Sequence, residues 1–539
     1  MTGCDDLPTF ALHRGFVLSA GRHPERPALE VAGSSLTYRQ LHRHACNIAQ
    51  VVRANLPDDA PRMVGVLAGR SVSLYAGLLG TLIAGATIVP MNPAFPADRT
   101  RRMVEHAGVR MLVVDAASLD ALHAQLSLAT DAMHVVLPEG ADVAALRARW
   151  PLHVFHDQAA VESAPAVAPW PVSESSFAVL FYTSGSTGQP KGVGVLHRNA
   201  ARFVQMSIER YSPLGLGEAD RFSQFYDVTF DSSMFDLYVC WAFGACLCSP
   251  TAVEWVNPNK FIEQRELTVI DIVPSTGRTM NRTGAWRPGR FQKLRLCRFG
   301  GEALNAELAD ALAAAAPNAM VDNVYGPTEC TVDAAYFRWQ AGVSAAQCEH
   351  GVVPVGVAGP QVVLRVVDDH LNDVAPGQEG ELLIGGPQVT PGYWKDPERT
   401  AAAFVKTPGH DQTFYRTGDL VRQPEPGQPI QFLGRLDHQI KIAGVRIELG
   451  EVEHVLREAA RSDQAVALGW PRTPSGASGI VAFVAKSPGL DADALREQLK
   501  ARLPQVMVPR DIHLLDDFPL NVNGKVDRKA LLESLQASP

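Results

Sequence analysis

A chain of 539 residues is longer than one hydrophobic core usually organises, so two or more domains are expected. Its net charge of −8, with no basic run, gives no reason to expect nucleic acid as a partner, and 46% hydrophobic content is ordinary for a globular protein. Eight scattered cysteines with no CxxC pair argue against a zinc site or a disulfide framework and for free thiols in a reducing cytosol.

In chain order, Asp5 and Asp6 are followed by no apolar core, so no signal peptide is expected. Val64–Ala68 predicts a strand and Ser73–Ala84 a helix. Ser73–Pro90 comes nearest to a membrane span. Gly77, Gly80 and Gly85 interrupt it and it ends in the β-branched run Thr87–Val89, so a buried helix leading into a strand is expected and no membrane partner. Met111–Asp115 reads as a strand and Ala117–Leu128 as a helix. Glu162–Ser175, rich in Pro, Ala and Ser, is a connector. Phe177–Tyr182 is a buried strand, Leu267–Val273 another, and Ala306–Ala315 an alanine-rich helix before the apolar Met320–Val321. This alternation predicts an α/β class with largely parallel sheets. Beyond Gly434 the pattern changes. A helix is expected over Gly450–Ala460, strands at Ala465–Leu468 and Ile480–Val484, and a helix over Ala492–Leu503.

The stretch LFYTSGSTGQPKG, Leu180–Gly192, carries the first chemical signal. Thr183, Ser184, Gly185, Ser186, Thr187 and Gly188 let the backbone curl so that several N–H groups and hydroxyls face one anion, and Lys191 adds charge. It is not a Walker loop, because Gly192 follows the lysine. The bland alternative is a flexible Ser/Gly loop.

Further motifs follow in a fixed order: LTYRQL at Leu36–Leu41, GTLIAGATIVPMNP at Gly80–Pro93, FDSS at Phe230–Ser233 and NVYGPTE at Asn323–Glu329. Then come GELLIGGPQVTPGYW at Gly380–Trp394, YRTGDL at Tyr415–Leu420, GRLDHQIKIAGVRIELGEVE at Gly434–Glu453, LPQVMVP at Leu503–Pro509 and NGKVDR at Asn523–Arg528. With these, almost the whole chain resembles the adenylate-forming superfamily of acyl-CoA synthetases, luciferases and nonribosomal peptide synthetase adenylation domains. The resemblance implies a large α/β body of layered sheets and helices over residues 1–436 and a small mobile α+β lid over 437–539, hinged at Asp437.

It also implies a chemistry in which a carboxylate joins the α-phosphate of ATP and pyrophosphate leaves. In that frame the loop from Thr183 to Lys191 grips the leaving phosphates, Glu329 coordinates Mg²⁺ and Thr328 contacts the α-phosphate. Tyr325, with Asn323 and Gly326 in the same motif, lies against adenine beside the backbone of Gly301, Glu302 and Ala303. Asp419 accepts hydrogen bonds from the ribose hydroxyls, and Arg435 reaches the ribose or phosphate. Lys525 is the catalytic lysine, carried in by the lid; Lys441 lies on the lid face that turns inward for a second, thioester-forming step. Each residue has a bland counterpart: a surface glutamate, a core tyrosine, a turn aspartate, a solvated lysine.

Amino-acid-activating members carry an aspartate at FDxS that pairs with the substrate ammonium, and Asp231 stands there. The alternative is a helix-capping aspartate. By motif alignment, Ser232, Phe235, Ser275, Cys297, Phe299, Val324, Val332 and Asp333 are expected to line the side-chain pocket. Asp333 hydrogen-bonds a side-chain hydroxyl, pairs with a second amine on the substrate, or faces solvent. No carrier domain and no condensation motif HHxxxDG is found, so a free-standing enzyme is expected that serves a separate carrier protein with a phosphopantetheine arm. A D-alanine–carrier protein ligase is the runner-up, an acyl- or aryl-CoA ligase the third reading, and a non-catalytic nucleotide-binding relative a fourth. Val506 and Ala443 depart from the usual Tyr and Arg of the family's lid motifs.

Overall fold

The structure, a computed structural model, describes residues 7–56, 62–164, 167–185, 190–437, 439–462, 464–473, 476–487, 489–520 and 526–537. It is a mixed α/β molecule with a large N-terminal part and a small C-terminal part. In the large part, a seven-stranded sheet runs in the order Val154–His156, His134–Val136, Met111–Val114, Met63–Leu67, Thr87–Met91, Phe177–Thr183, Lys191–Leu196. Its neighbours pair parallel except the last two, which are antiparallel. A nine-stranded sheet is parallel through Met320–Tyr325, Leu296–Phe299, Val269–Ile272, Arg221–Ser223, Cys246–Cys248 and Pro27–Val31, with antiparallel strands at both edges. A five-stranded antiparallel sheet follows, built on Glu379–Gly385 and Thr413–Arg422.

The sequence motifs act locally in ways their residues explain. In LTYRQL, Thr37 caps the helix Tyr38–Asn55: its hydroxyl accepts from Gln40 N, and Thr37 N donates back to Gln40 Oε1 at 2.8 Å. The glycine-rich apolar run is a helix, Val72–Ile83, with every residue from Ser73 to Ile83 buried, leading into the strand Thr87–Met91. Among the described residues no helix is long and apolar enough to cross a membrane. Gly80 lets this helix press on Tyr38–Asn55: a Cβ there would lie 2.7 Å from the Ala45 carbonyl oxygen. Among the described cysteines none is in a disulfide, and all but the half-buried Cys348 are buried.

After Arg435 the strands form separate small sheets. A hairpin pairs Gln439–Ile442 with Val445–Glu448, and a three-stranded sheet orders Ala465–Gly469, Ile480–Ala485, Asp511–Leu515. The helices Leu449–Ala460 and Ala492–Lys500 pack on them in a core of their own. The hairpin turns through Ala443 (φ 50°) and Gly444 (φ 77°), the two positive φ values of a two-residue turn that matches strand twist.

Gly80→Ala gains about 1 kcal/mol in helix propensity. The methyl must displace a neighbouring backbone, and such overpacking costs about 1–3 kcal/mol. The expected result is a lowered midpoint of thermal unfolding, whereas Gly108→Ala, where nothing lies within 4 Å but φ is 76°, serves as a strain-only control.

Candidate active site

The parallel strands Val269–Ile272, Leu296–Phe299 and Met320–Tyr325 end at one rim, where open α/β sheets place their ligands. Below that rim lies a cavity of about 550 Å³. Strand Phe177–Thr183 closes one side, Asp419 and Arg435 another, and the C-terminal hairpin roofs it.

Most of the expected site residues meet here. Thr183, Ser184, Asp231, Ser232, Gly301, Val324, Tyr325, Gly326, Thr328, Val332, Asp333, Asp419, Arg435 and Lys441 all line the cavity. Glu302 and Ala303 lie behind the rim. The buried Glu302 carboxylate accepts from Ser275 N (2.8 Å), Ser275 Oγ (2.9 Å) and Gly444 N (2.7 Å). Asn323 turns away and donates to the Pro354 carbonyl at 2.9 Å. Ser186, Thr187, Gly188 and Lys525 lie outside the described residues.

Glu329 is fully buried just beyond the cavity wall. Its Oε1 accepts from Lys191 Nζ (3.1 Å) and Tyr393 OH (2.7 Å), and its Oε2 from Arg446 Nη1 (2.9 Å). Burial opposes its charge, but Arg446, Lys191 and the Tyr393 hydrogen bond outweigh that and hold the carboxyl below the ordinary carboxylate range. The segment after it is strained. Thr331 (φ 53°) and the β-branched Val332 (φ 71°) both sit in the left-handed region. Gly326 makes room for them, since a Cβ there would lie 2.1 Å from the Val332 carbonyl oxygen.

Asp419 is held by Tyr325 OH at 2.5 Å and by Arg435 Nη1 at 2.7 Å. Arg435 also donates to Asp437, its Nε lying 3.0 Å from Oδ1. The C-terminal part engages the phosphate-loop residues directly. Ser184 Oγ donates to the Arg446 carbonyl (2.7 Å) and accepts from Glu448 N (3.1 Å). Gly185 N donates to Glu451 Oε2 (3.2 Å), and Glu451 Oε1 pairs with the buried Arg99 at 2.5 Å.

Of the residues expected to line a side-chain pocket, several stand one position away from the cavity wall. Side chains alternate along a strand. In Leu296–Phe299 it is Arg298 that faces the cavity, while Cys297 and Phe299 join the core with Ile270 and Trp286. Thr276 lines the cavity in place of Ser275, which is taken up by Glu302. Phe235 is fully buried and lies under the Arg298 guanidinium, 3.6 Å from Cζ to the ring centre, rather than lining the cavity. Asp333 does not face solvent: it is 2% exposed and accepts from Arg298 Nη2 at 2.6 Å. Asp231 stands two residues before a helical stretch that begins at Ser233 and is half-buried at the cavity wall, with its Oδ2 enclosed and without a hydrogen-bond partner among the described residues. Burial pushes its pKa up to about 6 against a Thr328 hydrogen bond.

Sequence reasoning missed Arg298, Tyr393, Arg446 and Glu451. The last three stand inside the motifs GYW, VRIE and GEVE, and strand parity counted back from Gly300 would have found the first.

The family model for the AMP-binding enzyme matches residues 16–394, and that for the AMP-binding enzyme C-terminal domain matches residues 451–525. The chain is 32% identical over 515 residues to aldehyde reductase lnaA of Aspergillus flavus and 33% identical over 520 residues to tyrocidine synthase 3 of Brevibacillus parabrevis. These matches take in 94% and 96% of this chain but 46% and 7% of those proteins, so the chain spans less than half the length of the curated relatives it matches. The crystal structure of the Vibrio cholerae adenylation domain AlmE in complex with glycyl-adenosine-5′-phosphate superposes with a TM-score of 0.86, at 28% identity and over 98% of both chains.

Glu329→Gln leaves the buried Lys191 and the half-buried Arg446 as cations without their carboxylate. Breaking such a pair costs about 3–5 kcal/mol, whereas removing both charges costs less. Chemical denaturation should show a large loss for the single variant and a partial return of stability in Glu329→Gln/Arg446→Met.

Proposed function

Because the chain belongs to the AMP-binding enzyme family, we propose that it activates an amino acid as its aminoacyl-AMP and then transfers it to the phosphopantetheine thiol of a separate carrier protein. The observation that carries the amino-acid reading is Asp231. An ionised carboxylate whose enclosed oxygen has no partner, on a residue at the cavity wall, is stabilised when a cation arrives to pair with it. The likeness to AlmE, whose crystal structure holds a glycyl adenylate, supports the same reading.

In the proposed first step the substrate ammonium pairs with Asp231, and its carboxylate attacks the α-phosphate of ATP as pyrophosphate leaves. Thr183, Ser184 and Gly185 begin the phosphate grip, Tyr325 packs on adenine and Asp419 takes the ribose hydroxyls, with Thr328 at the α-phosphate. Glu329 suits Mg²⁺: it is a carboxylate held in the ionised form, a hard oxygen ligand of the kind that ion takes. When bound, Mg²⁺ supplies positive charge that offsets the repulsion between the two anionic reactants.

The pose of the C-terminal part supports an assignment to the second step. Glu451 occupies the Gly185 amide that a phosphate would use, and Arg446 neutralises Glu329. A triphosphate and the Glu451 carboxylate cannot share that amide. We therefore assign this pose to the stage after pyrophosphate has left, with the Lys441 face turned in and Asp437 as the hinge of the lid. Lys525 acts in the opposite pose.

The reading is tested by ATP–pyrophosphate exchange against a panel that includes D-alanine, aryl acids and fatty acids. Exchange with one or a few amino acids is expected; exchange with aryl or fatty acids alone overturns it. The pH profile adds a sharper check. Asp231 is ionised above about pH 6 and neutral below, so ammonium pairing weakens as pH falls through that value. The KM for the amino acid should rise about tenfold per pH unit below it while the KM for ATP stays flat. A flat amino-acid KM removes Asp231 from the role.

Two lid variants separate the steps. A side chain at Gly444 would meet Val273 Cγ1 at 2.4 Å, so Gly444→Val should abolish carrier loading and spare pyrophosphate exchange. Lys525→Ala should do the reverse, cutting exchange by about 100-fold or more.

A further inference from the structure

The floor of the cavity carries charge that the proposed mechanism does not use. Arg298 is fully buried, with Nη2 on Asp333 Oδ2 at 2.6 Å and Nη1 3.7 Å from Asp271 Oδ2, too far for a hydrogen bond. Its Nε and Nη1, and Asp271 Oδ1, have no hydrogen-bond partner among the described residues. All three side chains line the cavity. The Phe235 ring covers one face of the guanidinium, so its free N–H groups can be met only at its edge. Buried donors and acceptors without partners cost about 1–3 kcal/mol each, and neither group has solvent to turn to.

We infer that Arg298 and Asp271 read the substrate side chain, selecting an amino acid whose side chain is neutral and carries both a donor and an acceptor, a hydroxyl or a carboxamide; this rests on the amino-acid reading above. Such a group accepts from Arg298 and donates to Asp271 at once. A second ammonium satisfies Asp271 but stands against Arg298 and leaves its N–H groups unpaired. A side-chain carboxylate satisfies Arg298 but stands against Asp271 and Asp333. An apolar side chain satisfies neither. The nearby Asp236 adds no third charge, since burial and the adjacent Asp271 push its pKa well up; burial also pushes Asp271 itself up to about 7 against Arg298, so the comparison of charged side chains is made in exchange assays above that pH.

The test is kcat/KM in pyrophosphate exchange for serine, threonine, asparagine and glutamine against 2-aminobutyrate, alanine, 2,3-diaminopropionate and aspartate. A member of the first group should lead all of the second by about 100-fold or more, the discrimination expected of a site built to hydrogen-bond its substrate. A lead by an apolar, diamino or acidic member overturns this inference and leaves amino-acid activation standing. Exchange with no amino acid overturns both. In Arg298→Met the ratio between the preferred substrate and its apolar isostere should fall at least tenfold. If that variant does not fold, Asp271→Leu, which leaves the Arg298–Asp333 pair neutral, should lower the same ratio. An unchanged ratio in either folded variant removes these residues from side-chain reading.

Discussion

The structure turns on one buried carboxylate. Glu329 joins three stretches far apart in sequence: Lys191 at the end of the glycine-rich loop, Tyr393 within the GYW motif and Arg446 in the C-terminal hairpin. An ionised group with no exposure is tolerable only when each oxygen is matched, and here both are. The matching is conditional, because one partner comes from a part of the chain that docks rather than one that is built in. On the proposed reading, the large part presents a negative site that either the hairpin or a bound cation helps Lys191 to balance.

The strain beside it has the same logic. Two consecutive β-branched residues at positive φ are costly, and the chain keeps them where Thr331 is tied to the Gln388 carbonyl and Gly326 is hollowed out beneath them. The kink turns Glu329 to one side and the Val332–Asp333 pair to the other. Three positions thus serve a charge site and the cavity wall from a single turn.

Much of this was legible in the sequence because the motifs sit where strands end. Strand Phe177–Thr183 running into Thr183–Gly185 and Met320–Tyr325 running into Gly326 are placed by an apolar run and the polar residues beside it, whereas Asp419, inside the strand Thr413–Arg422, was legible through its motif. Motif alignment points to Cys297 and Phe299 rather than Arg298 because a run buried on both faces shows no alternation against which to check the alignment, and a one-residue slip exchanges its faces. The state of Asp333 depended on Arg298, 35 residues away, and such pairings leave no local trace. Arg446 and Glu451 were inside recognised motifs, but what they touch is set by how the hairpin docks, which periodicity does not encode.

The sealed cysteines have a consequence beyond packing. On the proposed reading the cavity holds an acyl phosphate anhydride, an electrophile that any nearby thiolate would attack. Cys297 and Cys330 are the thiols closest in sequence to the cavity-lining residues, and both are fully buried, turned into the core and pushed by burial far toward the neutral thiol. Strand parity that sends Arg298 inward sends Cys297 outward. The same register that sets the pocket floor therefore protects the protein from acylating itself, and leaves the activated group for a thiol that arrives from outside.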